Sequence, residues 1–224
     1  GTTANGTNWV GYLVTTYNKT IILSYNLAMY GATVNNSIVS NVREDLVHQM
    51  LEFDTHYCSS TFWSPDTSMF AIWIGINDID FSYLDNDPYS KFPSILESYF
   101  SMLLTLYDCG ARHFMLINVP PTTRAPEMLD LDPLIRQKHD RAIREYNSQL
   151  QEGVRNWQNS HSDTSMMLYD AWSLMTTVLD YPEKYGFTDN RCIGQKCIWA
   201  DDYHPSSAFH RLLASNIPTA GTTL

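Results

Sequence analysis

Long apolar runs and basic residues are both scarce in this sequence. No stretch approaches the ~20 consecutive apolar residues that span a bilayer, so we expect no membrane-spanning helix. The 14 Lys and Arg are outnumbered by 24 Asp and Glu, which gives a formal net charge of −10. A surface that follows phosphates needs clustered positive charge, so nucleic acids and anionic membranes are not expected as partners.

Cysteine is sparse as well, with four residues in the chain. Cys192 and Cys197 flank a short loop, seven residues before His204, and a disulfide between them would stiffen the approach to that histidine. Metal binding by this pair is less favoured, because no second Cys or His pair stands at zinc spacing. Cys109, which lies between an apolar helical run and an apolar strand run, is predicted to be a buried thiol.

Three Asn-x-Ser/Thr sequons are present, at Asn5, Asn18 and Asn35. Each is common by chance and weak evidence alone, but a glycosylation acceptor lies on the surface of a secreted protein. Together with the expected Cys192–Cys197 disulfide, the sequons favour a secreted, extracellular protein.

Strand-like and helix-like runs alternate along the whole chain, and no linker divides it. Strands that are apolar on both faces suit a parallel sheet covered by helices, and three such runs are predicted, at 68–75, 113–119 and 165–170. Another β-rich run lies at 20–25, and helices are predicted at 8–17, 42–53, 92–107, 133–157 and 206–217. The alternation favours a parallel α/β sandwich that forms a single domain over residues 1–224.

The Asp-Asp-Tyr-His-Pro-Ser sequence at 201–206 is the strongest chemical signal. It places Asp201 three residues before His204, and a carboxylate that holds an imidazole is two-thirds of a nucleophilic hydrolase. The alternatives are a surface ion pair or a helix N-cap. Ser206 is expected to cap the last helix. The six other histidines occupy no comparable arrangement and are interpreted as structural.

Two turns that follow predicted strands could supply hydrogen-bond donors to an oxyanion. Asn77 lies in Gly-Ile-Asn-Asp at 75–78, where its amide could point into a site, or it could merely cap the following turn. Gly31 could offer its backbone N–H, although an ordinary strand-to-helix turn is the simpler interpretation. Taken alone, each turn favours the structural role.

In their order along the chain, three motifs resemble those of the SGNH (GDSL-type) hydrolase superfamily, and above all the fungal acetylesterases of carbohydrate esterase family 16. The motifs are Asn-Leu-Ala-Met-Tyr-Gly-Ala at 26–32, Gly-Ile-Asn-Asp at 75–78 and the block at 201–206. The resemblance covers essentially the whole chain. It implies a three-layer α/β sandwich with a parallel sheet of the flavodoxin-like SGNH type.

The resemblance also implies roles for individual residues. His204 would be the general base and Asp201 its orienting carboxylate, while the Gly31 N–H and the Asn77 side chain would form the oxyanion hole. Tyr30 replaces the first of the family's paired glycines and would narrow the acyl pocket. The implied reaction removes acetyl groups from hemicellulose-derived carbohydrates or other small esters, and it requires no metal or cofactor.

The nucleophile of that family is the Ser of a Gly-Asp-Ser block, and this sequence contains neither that block nor Gly-x-Ser-x-Gly. Residues 1–10 resemble the stretch that follows the block. We therefore expect the first strand and its Ser to precede Gly1, on a missing segment or a separate N-terminal peptide. Two explanations stay open: a truncated product without esterase activity, or replacement by another serine such as Ser37 or Ser40.

Two other functions compete with the acetylesterase. Lipases and thioesterases for longer acyl chains share the scaffold, and the pocket around Tyr30, Phe81 and Tyr83 would separate them. A non-catalytic carbohydrate-binding relative is the other alternative, and the missing serine favours it. The esterase is the preferred function, because a binding module has no need for both Asp201 and His204.

Overall fold

The computed structural model describes residues 2–218. These residues form eight α-helices and three β-strands: α1 Trp9–Thr15, α2 Leu46–His56, β1 Met69–Trp73, α3 Ile76–Asp80, α4 Phe92–Asp108, β2 His113–Ile117, α5 Pro126–Leu129, α6 Pro133–Ser160, β3 Ser165–Tyr169, α7 Ala171–Asp180 and α8 Ser207–Asn216. Among them, no helix is long and apolar enough to cross a membrane.

The three strands form a parallel sheet in the order β1-β2-β3. The register aligns Trp73, Ile117 and Tyr169 at the carboxyl ends of the strands. All three predicted strands are confirmed, and they are shorter than predicted by one to three residues. The prediction of an α/β protein with a parallel sheet is therefore confirmed.

The described residues divide into two compact units. The first consists of residues 2–25, Pro120–Arg136 and residues 171–218. The second consists of Asn26–Val119 and Gln137–Asp170 and contains the whole sheet. The ends of the predicted domain, residue 1 and residues 219–224, lie outside the described residues.

In the second unit, an aromatic cluster joins helices to one face of the sheet. Phe70 of β1 and Phe114 of β2 are register partners, and their ring centroids lie 6.2 Å apart. Phe53 of α2 meets Phe70 edge-on at 5.4 Å, and Trp157 of α6 meets Phe114 at 5.7 Å. Burying such rings contributes a large share of core stability, so this cluster fixes the helices on the sheet.

In the first unit, α1 packs against α8, and the Tyr12 hydroxyl of α1 lies 2.9 Å from the Ser207 hydroxyl of α8. Ser207 anchors the start of α8: its N–H donates to the Ala4 carbonyl at 2.8 Å, and its hydroxyl donates to the Thr7 carbonyl at 2.7 Å. Phe209 and Leu213 on α8 are fully buried. The N-terminal residues thereby hold the helix that follows the 201–206 block.

The β-rich run at 20–25 is not a strand in the structure, which corrects that expectation. Ile21 is 93% exposed and Leu23 is 71% exposed. A strand requires a hydrogen-bonded neighbour, and β-branched residues supply only the propensity for one. None of the three described strands pairs with this segment, so it forms no ladder.

Two further expectations are corrected. Cys109 is not a free thiol, because it forms a disulfide with Cys58 across 51 residues of sequence. The helix predicted to start at residue 42 begins instead at Leu46, since Asp45 caps it by accepting the His48 N–H. Val42 is accordingly left outside the helix and is 95% exposed.

Candidate active site

Asp201 and His204 lie on a tight loop of the first unit that is closed by backbone pairing. Trp199 and Pro205 form an antiparallel bridge, and the Ala200 N–H donates to the His204 carbonyl at 2.8 Å. The Ser206 N–H donates to the Ile198 carbonyl at 2.7 Å. These bonds fix the two ends of the loop, so its four central residues have little conformational freedom.

Within this loop, the carboxylate of Asp201 holds the imidazole of His204. Nδ1 of His204 lies 2.9 Å from Oδ2 and 3.1 Å from Oδ1 of Asp201. Oδ1 also accepts the backbone N–H groups of Tyr203 at 2.9 Å and His204 at 2.6 Å. Asp201 is thus the cap of its own turn and the partner of the imidazole at the same time.

The electrostatics of this pair favour an ionised carboxylate. Burial alone would raise the pKa of Asp201, but the hydrogen bonds from His204 and Tyr203 outweigh it, and the pKa lies below its usual value. His210 on α8 is buried, and burial, aided by the charge of His204, lowers its pKa to about 4. His210 therefore stays neutral above that pH.

The loop is also attached to a disulfide. Cys192 and Cys197 are bonded, and the Ser206 hydroxyl donates to the Cys197 carbonyl at 2.7 Å. The same hydroxyl accepts the Phe209 N–H at 3.3 Å, which makes Ser206 the N-cap of α8 as predicted. Ser206 therefore links the disulfide, the loop and the helix at one point.

In the second unit, the structure brings Asn77 next to the turn that contains Gly31. The Asn77 side chain donates to the Ala32 carbonyl at 2.9 Å. Gly75, with a φ of +113°, occupies the N-cap position of α3, so Asn77 is not the cap that the alternative required. Gly31 has a φ of +77°, and its N–H has no acceptor among the described residues.

An amide nitrogen carries two N–H donors, so Asn77 retains one after its bond to Ala32. Each of the two proposed oxyanion donors is consequently available to a ligand atom. The pairs Asp201–His204 and Gly31–Asn77 belong to different units, and each is described by itself.

Asp78 lies in the same turn, and no sequence pattern assigned it a role. It is fully buried, and its two carboxylate oxygens accept the Val34 N–H at 3.0 and 3.1 Å. Burial raises the pKa of Asp78 to about 7, against the opposing effect of the Val34 N–H. The sequence does contain a signal for this residue, because Asp78 is an acidic residue that closely follows a buried strand and a glycine.

The interpretation that no other histidine has a comparable arrangement was wrong. Nδ1 of His48 lies 2.6 Å from Asp45, and Nε2 of His139 lies 2.9 Å from Asp80. His139 is fully buried and cannot meet a substrate in this conformation. Asp45 is the N-cap of α2, so the His48 pair belongs to a helix terminus.

The three sequon asparagines and the two alternative serines all lie within the described residues. Asn5 is exposed, whereas the side-chain amide of Asn18 donates to the Thr20 carbonyl at 2.9 Å and that of Asn35 donates to Ser98 at 3.0 Å. Ser37 and Ser40 are both exposed and belong to neither a strand nor a helix.

The sequence of this chain is similar to known proteins over almost its whole length. The model of the GDSL-like lipase/acylhydrolase family matches residues 1–217. The chain therefore belongs to the GDSL-like lipase/acylhydrolase family, a class of esterases.

Individual relatives cover most of this chain and a varying share of their own length. An acetylesterase of Thermothelomyces thermophilus is 34% identical, over 98% of this chain and 76% of that protein. A thermolabile hemolysin of Vibrio parahaemolyticus is 22% identical, over 99% of this chain and 56% of that protein. A GDSL esterase/lipase of Arabidopsis thaliana is also 22% identical, over 91% of this chain and 64% of that protein.

Proposed function

We propose that the protein is a serine ester hydrolase that removes acetyl groups from carbohydrates, such as those derived from hemicellulose. The observation that carries the proposal is the Asp201–His204 pair on its closed loop. A carboxylate at Nδ1 fixes the tautomer in which Nε2 is the proton acceptor, and it stabilises the imidazolium that forms. His204 is thus prepared to act as a general base.

In the proposed mechanism, the hydroxyl of a serine attacks the ester carbonyl while Nε2 of His204 takes its proton. The Gly31 N–H and the second N–H of Asn77 stabilise the tetrahedral oxyanion, which collapses to an acyl-enzyme as the alcohol leaves with the proton from His204. Water then releases the acid by the same route. The nucleophile is assigned by analogy with the Gly-Asp-Ser serine of related enzymes, a block that this sequence does not contain, and the residues of this chain supply the base and the oxyanion donors.

Acetyl specificity is supported by the likeness to the fungal acetylesterase and by Tyr30, which stands beside Gly31 where a smaller residue would leave more room. We propose further that both units together form one SGNH hydrolase-like domain, a three-layer sandwich. Two disulfides and three sequons support a secreted glycoprotein, because disulfides persist in oxidising compartments.

Hydrolysis of longer acyl chains is the second candidate. Phe81 is 53% exposed and Leu84 is 58% exposed, and both follow Asn77 within two turns of chain. Exposed apolar side chains beside a site can accept the hydrocarbon of an acyl group. The turnover of 4-nitrophenyl acetate, butyrate and octanoate separates the two candidates: a rate that falls with chain length supports the acetylesterase, and a rate that rises supports a lipase.

The proposed function is tested by His204→Ala in the full-length protein, with His56→Ala as the matched control because His56 lies exposed at the end of α2. We expect kcat for 4-nitrophenyl acetate to fall by about 10³-fold or more in His204→Ala and to stay unchanged in the control. Unchanged turnover in His204→Ala would overturn the assignment. A wild-type protein that binds saccharides without turnover would instead support the carbohydrate-binding relative.

A further inference from the structure

Arg43 lies beside the glycine that we propose as an oxyanion donor. A Cβ built on Gly31 would lie 3.3 Å from Cγ of Arg43, so the stem of the arginine runs along this glycine. The guanidinium carbon lies 6.0 Å from the centroid of the Tyr30 ring. A positive charge is therefore held over an aromatic face, one residue from the proposed oxyanion donor.

Hydrogen bonds on both sides of Arg43 tie its backbone to the Gly31 turn. Asn41 donates its side-chain amide to the Gly31 carbonyl, and Asn36 donates to the Arg43 carbonyl at 2.7 Å. Beyond Arg43, the Leu46 N–H donates to the Thr33 carbonyl at 3.0 Å. The segment cannot move away from the turn without breaking these bonds, so Arg43 stays near the site.

Within the part of the chain that the structure describes, no carboxylate forms a salt bridge with Arg43. Lys91, Arg112 and Arg144 each meet a carboxylate at 3.0 Å or less, whereas no carboxylate of residues 2–218 lies within salt-bridge distance of Arg43. The guanidinium thus keeps its donors for a ligand, and its fork matches a carboxylate.

We propose that Arg43 binds a carboxylate on the alcohol part of the substrate, so that the enzyme prefers acetate esters of acidic saccharides such as uronic acids. An acetyl group carries no charge, and the anion that Arg43 binds must therefore belong to the alcohol that leaves. This inference rests on the proposed esterase function and names its substrate class.

The test compares two esters that differ by one charge, 4-acetoxybenzoate and its methyl ester, with the full-length protein. The variants are Arg43→Gln and Arg43→Lys, with Arg155→Gln as the control. Arg155 is an exposed residue near the end of α6. The chain continues from there to the amino end of β3, whereas Gly75 follows the carboxyl end of β1. Arg43→Gln and Arg155→Gln each remove one positive charge, whereas Arg43→Lys removes none. A comparison of the three variants therefore separates a local effect of Arg43 from a change in net charge.

The preference for the anionic ester is its kcat/KM divided by the kcat/KM of the neutral ester. We expect this ratio to fall roughly five- to ten-fold in Arg43→Gln, which is more than the loss of an exposed ion pair would cause and less than the loss of a buried bidentate one. The change should appear in KM, Arg43→Lys should retain part of the preference, and Arg155→Gln should retain all of it. An unchanged ratio in Arg43→Gln, with both esters still hydrolysed, would overturn the role of Arg43 and leave the esterase intact.

A binding measurement separates this inference from a failure of the proposed function. Calorimetric titration with 4-hydroxybenzoate, the product alcohol, requires no turnover. We expect the Kd of 4-hydroxybenzoate to increase roughly five- to ten-fold in Arg43→Gln, while the Kd of methyl 4-hydroxybenzoate stays constant. If the wild type hydrolyses neither ester, the esterase assignment fails. Equal Kd values for 4-hydroxybenzoate in the wild type and in Arg43→Gln would overturn the role of Arg43.

Discussion

Both carboxylate oxygens of Asp78 accept the same backbone N–H, that of Val34. The pair joins the turn after β1 to the residues that follow Gly31, so one buried acid links the two segments that carry the proposed oxyanion donors. Burial is also what raises the pKa of Asp78 from 3.8 to about 7. A contact that organises the site is therefore sensitive to pH.

We expect the stability contributed by Asp78 to decline as the pH rises. The folded protein keeps a proton on Asp78 up to about pH 7, whereas the unfolded chain releases it near pH 3.8, so this contribution is complete below pH 4 and lost as the pH passes 7. Asp78→Asn removes the ionisation. In urea unfolding, its free energy of unfolding relative to wild type should increase by up to about 4 kcal/mol between pH 4 and pH 8. A difference that is constant with pH would contradict this expectation.

Gly75 is expected to tolerate no side chain. Its φ of +113° is unfavourable for L-residues, and a Cβ there would lie 2.5 Å from Cζ and Oη of the buried Tyr146 ring. Gly186→Ala is the matched control, because Gly186 has a φ of +84° but no atom within 4 Å of the added Cβ. We expect a loss of about 1 kcal/mol in the control from backbone strain alone.

Gly75→Ala should lose about 3 kcal/mol or more of unfolding free energy, because overpacking adds to the strain. Thermal and urea unfolding of the two variants measures the difference. Equal losses in Gly75→Ala and Gly186→Ala would show that Tyr146 yields to the new methyl group.

The two disulfides should divide stability and catalysis between them. Cys58–Cys109 closes a loop of 51 residues, and Cys192–Cys197 closes one of 5. Loop-closure entropy predicts losses of about 4 and about 2 kcal/mol respectively when each pair is replaced by alanine. Because Ser206 connects Cys197 to the loop of His204, the 192–197 replacement should reduce kcat more than the other one. Unfolding and 4-nitrophenyl acetate turnover, measured on both double variants, test this order.

Much of the sheet could be predicted because a buried parallel strand has a distinctive sequence. The runs at 68–75, 113–119 and 165–170 are apolar on both faces, and each became a strand. The run at 20–25 has similar propensity but no strand partner in the described chain, and pairing is not encoded locally. α7 went unrecognised, although its residues Ala171 and Met175 are buried one turn apart.

The candidate site, like the sheet, could be predicted from the sequence only in part. Asp201 and His204 are three residues apart, so local geometry brings them together and the sequence could anticipate it. The bond between Asp78 and Val34 spans 44 residues, and that between Cys58 and Cys109 spans 51. Contacts of this range depend on how helices pack on the sheet, which no local pattern records.

The Cys58–Cys109 bond has a practical consequence for handling the protein. It encloses the segment that contains Phe81 and Leu84, both of which are exposed. A protease that cuts the backbone there would leave the two fragments covalently joined. A nicked molecule would migrate as one band on a gel without thiol, and only a reducing lane would reveal the cut.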